Sequence, residues 1–428
     1  MVIVAALLGS AAGCADSSGG SELSRDAQLS KAPDVSFQQV GVDEVGDHLE
    51  AAVAGTRTLG VRLLAPSYAQ GHVDNVVVSP FSARVALAMV RAGAGGKTAH
   101  ELDSALGTTD PTTFAALIGQ FDALKGDPGK VDQQNPPNPP VLNQAAAAFI
   151  DHTLPVGERY LKTLASSYDT GVYPVDFASG QARSAINQWL AVNTGDLIDS
   201  TPTDDNSDTR MSLLSTVFLA AAWAHPFSPG STGQASFTRA DGSVVQADLM
   251  HQTTTGRLVS TDSYVAAQLP YGGGLAMQIV VPTEKGATSE GASTIASVAT
   301  DTVLSKVAAD LHAARDESVT FTLPRWSVTD SLDLKPVLTQ MGITTMFTAD
   351  ADLDEINPSV MVNAVAQDST ITVGEKGTVA ASATQVDMMP TMLPPGPAIV
   401  ADHPFVYQIV DTATGLPLFM GVLADPSA

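Results

Sequence analysis

The sequence predicts one large domain of mixed α and β structure with more than one β-sheet. Helical periodicity and short strand-like runs interleave early in the chain, and strand-like runs are concentrated late. This order is typical of folds in which helices pack against several sheets. The helical segments are 49–68, 81–91, 97–106, 186–194 and 295–314, and the strand segments are 145–150, 213–222, 275–281, 318–323, 371–373, 406–410 and 418–423.

The division of the chain follows from where linker-like composition occurs. Residues 15–45 are polar and rich in Ser and Gly, which predicts a flexible tether. No second linker of that kind follows, because the Pro- and Asn-rich stretch 127–140 is interpreted as a surface loop. With 428 residues and 44% hydrophobic composition, residues 46–428 can bury one large core.

Composition and motifs disfavour several functions. A net charge of −24 argues against a nucleic-acid partner, since no basic patch is present to neutralise phosphates. The eight histidines lack metal-ligand spacing, and there is no nucleophile elbow, P-loop or dinucleotide fingerprint. We therefore expect no metal, no cofactor and no enzymatic activity. A secreted hydrolase is the least supported alternative.

The first residues predict export. Residues 2–8 are apolar and lead through small residues to Cys14, an arrangement that resembles the lipobox of bacterial lipoproteins. The resemblance implies that residues 1–14 carry the lipoprotein signal and that Cys14 is acylated, giving stable membrane anchoring. We expect an extracytoplasmic protein, anchored at the cell surface or in the periplasm. An ordinary signal peptide and a secreted product are the alternative.

A run of small residues near the end is the most informative segment. Residues 378–389 contain no proline and are competent to form a strand, whereas four prolines within 390–397 exclude regular structure there. As a strand, the face that begins with Thr378 is small and uncharged, and the face that begins with Val379 turns polar as a solvated sheet surface does. Gly377 supplies backbone freedom at the start. The pattern favours an exposed loop that is cut and then drawn into a sheet, with an ordinary surface linker as the alternative.

Several segments resemble serpin motifs in the order found in that family of serine-protease inhibitors. They cover roughly residues 50–428, nearly everything after the tether. The matching segments are 75–98 with Ser79 and Ser82, 186–198 with Trp189, 213–227 with Trp223, 269–282 with Tyr271, 324–347 with Gly342, and 402–426 with His403, Phe405 and Gly421.

The resemblance implies three β-sheets surrounded by about eight or nine helices, with an exposed reactive-centre loop at about residues 375–402. It also implies a monomeric suicide substrate that traps its target serine protease as a covalent complex after loop insertion. The hinge residues that fit inhibitory members are Glu375, Gly377, Thr378, Ala380, Ala381, Ser382, Ala383 and Thr384. A non-inhibitory binding or structural member of the same fold is the alternative.

The family's spacing from Glu375 places the cleaved bond between Thr391 and Met392, although 392–393 and 389–390 also remain open. No Lys or Arg follows Lys376, so the loop offers nothing to a trypsin-type pocket. The small or medium apolar candidates instead suit elastase-like, subtilisin-like or chymotrypsin-like enzymes, and the β-branched, modest-sized Thr391 favours the first two.

The resemblance also assigns a hydrogen-bonded cluster that gates opening of the central sheet. Ser79 and Ser82 match its two serines, whereas Ser215 stands where the family usually has Asn and Gln367 where it has His. Both replacements remain polar. We expect a working gate without histidine-linked pH dependence at this point.

Overall fold

The computed structural model describes residues 28–69, 72–201, 206–283, 291–379, 387–388 and 396–428. Cys14, the hinge residues Ala380, Ala381, Ser382, Ala383 and Thr384, and the predicted reactive bond Thr391–Met392 lie outside these ranges. Within the described ranges the α-helices are α1 Asp47–Leu64, α2 Pro80–Ala92, α3 Gly96–Leu106, α4 Pro111–Gly119, α5 Glu158–Ser167, α6 Gln181–Thr194, α7 Gly291–Val298, α8 Asp301–Ala313 and α9 Lys335–Gln340. The strands are β1 Val76–Val78, β2 Val141–Asp151, β3 Val172–Val175, β4 Met211–Ala222, β5 Thr232–Thr238, β6 Val244–Ser260, β7 Tyr264–Pro270, β8 Leu275–Pro282, β9 Glu317–Pro324, β10 Trp326–Asp333, β11 Ala364–Gly374, β12 Gly377–Thr378, β13 Asp387–Met388, β14 Ala398–Val400, β15 Phe405–Asp411 and β16 Pro417–Leu423.

Six strands form a central sheet in the order β10-β11-β12-β4-β2-β3. β11 runs parallel to β4, and residues 364–369 pair directly with residues 212–217; we call this stretch the seam. Beyond the seam, β12 enters between the two strands and pairs antiparallel with both. The central sheet is therefore closed along the seam and holds a two-residue wedge at its other end.

The remaining strands form two further sheets that share β6. The first part of this 17-residue strand pairs with β5 and β9, and its last part pairs with β7. One sheet has the order β1-β16-β15-β8-β7, and β13, β5, β9 and β14 belong to the other. The predicted mixed architecture of three sheets and about eight or nine helices is confirmed, with β6 linking two of the sheets.

Alternation of side chains along β4 gives the central sheet two faces. Leu213 belongs to the main core together with buried residues of α2, whereas Leu214 packs with Ile186 and Trp189 of α6. We call the α2 side the back face and the α6 side the front face. Residues 80–90 of α2 are all buried, so this helix forms the centre of the molecule behind the sheet.

One predicted helix is two helices. The segment 295–314 was predicted as continuous, but α7 ends at Val298 and α8 begins at Asp301. The hydroxyl oxygen of Thr300 accepts from the Val303 N–H at 3.2 Å and caps α8. Threonine is also tolerated inside helices, so periodicity alone does not reveal that Thr300 caps the start of a new helix.

Over the described ranges, no helix combines the length and apolarity needed to cross a bilayer. The same residues contain no group of three or more His, Cys, Asp or Glu side chains arranged to hold a metal ion.

The prediction that the tether extends to residue 45 is wrong for the part that the structure describes. Ser30 exchanges two backbone hydrogen bonds with Val172 of β3, at 2.7 and 3.0 Å, and so adds a bridge to the edge of the central sheet. The Gln38 N–H donates to a carbonyl of α5 at 2.8 Å. The Phe37 ring packs against the main core, with the Lys125 ammonium 5.6 Å from its centroid. Backbone pairing to an open sheet edge and one aromatic anchor hold this segment despite its polar composition.

Removal of residues 28–40 should therefore destabilise the domain. Relative to a chain that begins at residue 28, we expect a loss of roughly 2–4 kcal/mol in the free energy of unfolding, from three backbone hydrogen bonds and the Phe37 contact. Urea unfolding followed by circular dichroism measures this loss. Equal midpoints for the two chains would show that the segment adds nothing to stability.

Candidate functional site

The start of the predicted hinge lies inside the central sheet. After β11, residues Glu375 and Lys376 form a tight turn, and Gly377 and Thr378 then pair with Ala222 and Ala221 of β4. On the other side, Thr378 pairs with Val373 of β11. The hinge glycine and the first residue of the predicted inserting strand therefore already pair within the sheet.

Glycine is required at the entry point. Gly377 has φ +151°, and a Cβ there would lie 2.0 Å from the carbonyl oxygen of Ala221. Any side chain would push the hinge away from β4. The sequence predicted backbone freedom at this position, and the structure adds close backbone approach as the reason.

Thr378 faces the back of the sheet and is only 2% exposed. Its hydroxyl hydrogen-bonds the Tyr271 hydroxyl, and the Tyr271 ring stacks on Trp223 with centroids 4.2 Å apart. The Trp223 indole N–H donates to the Gly374 carbonyl at 2.9 Å. Two buried aromatic residues therefore fix both the end of β11 and the start of β12.

Val379 differs from the predicted solvated face. It is only 6% exposed and packs on the front face with Phe218 and Ala220. Its N–H donates to the Thr372 carbonyl at 2.6 Å, although its φ of +66° lies in the left-handed region. That conformation is a genuine outlier for a β-branched residue and is maintained by these contacts.

An ion pair anchors the turn before the hinge. The Glu375 carboxylate is nearly buried and accepts from the Arg325 Nε at 2.8 Å and from the Thr232 hydroxyl at 2.7 Å. The Arg325 Nη1 also lies 3.6 Å from the Asp248 Oδ2. Burial alone would raise the pKa of Glu375, but the hydrogen bonds from Arg325 and Thr232 outweigh it and lower the pKa below the ordinary value.

Three of the four predicted gate residues form one network. The Ser79 N–H donates to the Gln367 side-chain oxygen at 3.0 Å, and the Gln367 amide donates back to the Ser79 carbonyl at 2.6 Å. The Ser82 N–H donates to the Ser79 hydroxyl oxygen at 3.3 Å, and the Ser82 hydroxyl donates to the Thr216 carbonyl at 3.1 Å. The N-terminus of α2 is thereby tied to both strands of the seam.

Ser215 is in register with Gln367 across the seam, but its hydroxyl differs from the prediction of a fully bonded cluster. This buried oxygen has no hydrogen-bond partner among the described residues. Gln367 uses both ends of its amide on the backbone of Ser79, which leaves Ser215 without a donor or acceptor from it.

Sequence reasoning missed three features of the site. Arg325 follows the predicted strand 318–323, but no sequence pattern marks it as the partner of Glu375. The roles of Tyr271 and Thr232 had no signal, because they depend on which strands lie beside the hinge. β13 was also not predicted: Asp387 and Met388 pair in parallel with β5, so part of the loop runs along the edge of that strand.

The Glu375–Arg325 pair should be essential to the hinge anchor. We expect Glu375→Gln and Arg325→Met each to lower the free energy of unfolding by about 3 kcal/mol, because each leaves a nearly buried polar partner uncompensated. The double variant should lose less than the sum of the two.

Glu355→Gln is the matched control, since its partner Arg159 is 85% exposed and such pairs contribute at most about 1 kcal/mol. Thermal and urea unfolding of all four variants measure the coupling. Strictly additive losses would contradict the anchor.

Comparison with known proteins agrees with this geometry. The model of the serpin family, described as serine protease inhibitor, matches residues 54–426. Iripin-2 of Ixodes ricinus is 31% identical over 85% of this chain and 90% of its own length, and human neuroserpin is 27% identical over 86% and 90%. Among solved structures, the thermophilic serpin tengpin in its native state superposes with a TM-score of 0.74 at 20% identity, covering 94% of this chain and all of that one. Thyroxine-binding globulin in complex with thyroxine superposes with a TM-score of 0.72 at 23% identity, covering 89% of this chain and 99% of that one. With the family matched over nearly the whole domain and the hinge lying beside β4, this chain belongs to the serpin family of serine protease inhibitors.

Proposed function

We propose that this protein inhibits an extracellular serine protease as a suicide substrate, by inserting its cleaved loop into the seam of the central sheet. The observation that carries the proposal is β12, which already lies between β11 and β4 and continues into a small, uncharged sequence. Thyroxine-binding globulin, which shares this fold, was solved in complex with thyroxine. The fold alone therefore does not distinguish protease inhibition from ligand binding. The small, uncharged composition of the hinge favours inhibition over a non-inhibitory binding function.

The register of β12 predicts where the loop goes. Thr378 pairs with Ala221 and Val373, and six residues further along the loop correspond to six residues back along each neighbour. This continuation places Thr384 between Ser215 of β4 and Gln367 of β11, on the back face. Its hydroxyl would lie beside the Ser215 hydroxyl, which has no partner among the described residues. Loop insertion thus supplies the polar neighbour that the closed seam lacks.

The chemistry belongs to the protease. Its serine oxygen attacks the Thr391 carbonyl carbon, an ester to the enzyme forms, and the bond to the Met392 nitrogen breaks as that nitrogen takes up a proton. The new ester end is free to move because the loop is no longer held at its far side. Insertion then gains ladder hydrogen bonds, each worth a net ~0.5–1.5 kcal/mol, and carries the enzyme away before water cleaves the ester.

Sequence in the loop restricts the targets. The absence of Lys and Arg after Lys376 disfavours trypsin-like enzymes, and Thr391 is β-branched and of modest size. Elastase-like and subtilisin-like proteases fit this residue best. The alternative function, a non-inhibitory binding or structural protein, requires no rapid insertion and would tolerate bulky or charged hinge residues.

We also propose that Cys14 anchors the inhibitor to a membrane as an acylated residue, outside the cytoplasm. The small residues that lead to this cysteine support the proposal. Intact-mass analysis of the mature protein distinguishes an acylated Cys14 from a product of ordinary signal cleavage. A monomer that acts on one protease at a time is sufficient for this role.

The decisive experiment is covalent trapping. Residues 28–428 are incubated with pancreatic elastase, subtilisin, chymotrypsin and trypsin, and denaturing gels with intact-mass analysis follow. We expect a denaturation-resistant adduct with elastase or subtilisin, cleavage after Thr391 and no adduct with trypsin. Clean loop cleavage without an adduct would favour the non-inhibitory alternative.

Replacement of the residue before the bond tests its position. Thr391→Arg should transfer adduct formation to trypsin, because a guanidinium pairs with the aspartate of that enzyme's pocket. Thr391→Val, which keeps the β-branched shape, should leave the wild-type preference. If Thr391→Arg is cut elsewhere, the reactive bond lies at another position in the loop.

A charge on the inserting face should convert the inhibitor into a substrate. Thr378→Glu would bury a carboxylate against Tyr271, so we expect adduct yield to fall at least about tenfold while cleavage continues. Lys376→Glu places the same charge on an exposed residue of the adjoining turn and should largely retain the adduct. Equal yields from both variants would contradict insertion along the register of β12.

A further inference from the structure

A buried carboxylate lies at the open end of the seam. Asp368 of β11 is in register with Thr216 of β4, and Ser369 with Val217 forms the last direct pair before the strands separate around β12. Asp368 is fully buried. A loop that continues inward from β12 must part these two pairs early in its insertion.

The Asp368 carboxylate is poorly compensated. One oxygen accepts from the Ser331 hydroxyl at 2.5 Å, whereas the other oxygen has no hydrogen-bond partner among the described residues. The neighbouring hydroxyls of Thr216 and Ser369 are also buried and have no hydrogen-bond partner among the described residues. An ionised carboxylate with a single hydrogen-bond donor in a buried site is unfavourable, and exposure to water on opening relieves that cost.

Charged neighbours do not offset this burial. On β10, the Asp330 carboxylate accepts from the Val77 N–H at 2.6 Å, and Asp333 accepts from the Lys335 N–H at 2.9 Å at the start of α9. β1, β4 and β12 carry no ionisable side chain, and α6 on the front face carries only Arg183. Burial raises the pKa of Asp368 to about 6, and the Ser331 hydrogen bond opposes it only in part.

We propose that Asp368 sets the rate at which the seam opens, with the ionised carboxylate favouring opening and the neutral acid keeping the seam closed. Asp368 is thus a positioning residue for loop insertion, and the inference deepens the proposed function, on which it rests. It differs from the gate at Gln367, which lies on the back face and carries no ionisable group.

The direction of the pH dependence follows from proton linkage. The closed seam holds the proton more tightly than an open, hydrated carboxylate with the ordinary pKa of about 3.9. Its advantage is complete below that value and is lost as the pH rises through about 6. Opening should therefore speed up by as much as about tenfold between roughly pH 5 and pH 7.5.

Hydrogen–deuterium exchange of the seam amides tests this directly, with intrinsic rates corrected at each pH. Residues 28–428 are compared with Asp368→Asn, which mimics the neutral acid, and with Asp330→Asn, a partly buried carboxyl of the same sheet outside the seam. We expect seam opening to rise with pH in the wild-type chain and in Asp330→Asn, and to remain slow and nearly flat in Asp368→Asn. Parallel profiles for wild type and Asp368→Asn would overturn the proposal.

Ser331→Ala provides a second variant with the carboxyl retained. Removing the one donor should move the midpoint of the exchange profile to higher pH, and an unchanged midpoint would contradict the assignment. The exchange measurement needs no protease. Absence of a covalent adduct would therefore refute inhibition but would leave the test of Asp368 unaffected. When adducts do form, the ratio of adduct to cleaved inhibitor, compared between wild type and Asp368→Asn at each pH, should follow the same step.

Discussion

The parallel pairing of β11 with β4 is the constraint on which the rest of the structure depends. These strands are distant in sequence, and parallel pairs are slightly less stable per residue than antiparallel ones. β12 is antiparallel to both neighbours, so each residue added to it replaces one parallel contact with two antiparallel contacts. In the proposed mechanism, insertion would therefore exchange the parallel pairing of the seam for antiparallel pairing on both sides of the new strand. Three sets of contacts lie beside the junction of β11 and β4: the network around Ser79, the ion pair of Glu375, and the stacked rings of Trp223 and Tyr271.

Much of the architecture was predictable because it depends on local patterns. The strand at 145–150 and the helix at 97–106 correspond to β2 and α3, since alternation and helical period are written in neighbouring residues. The boundary at Thr300 was not predictable in this way, because a capping threonine and an interior threonine have the same sequence appearance. The ordered segment at 28–45 was missed for a different reason: backbone pairing of Ser30 with β3 requires no apolar side chain.

Within the site, the hinge could be identified from the sequence and its partners could not. The small residues after Gly377 predict an inserting strand from local sequence. The pair of Glu375 and Arg325 could not be predicted in this way, because these residues are 50 positions apart and only the fold brings them together. The gate residues are predicted by resemblance, but the resemblance does not reveal that Gln367 uses both ends of its amide on Ser79 and leaves the Ser215 hydroxyl without a partner among the described residues. Asp368 was not recognised at all, because an aspartate within a strand looks like a solvated residue until its burial is known.

The left-handed conformation of Val379 has a mechanical consequence. A β-branched residue held at positive φ stores on the order of 1–3 kcal/mol, and that energy is released only when the residue becomes extended. The bend at Val379 therefore holds backbone strain immediately after β12. In the proposed mechanism, cleavage of the loop would let Val379 become extended as β12 lengthens, so release of this strain would favour the first step of insertion.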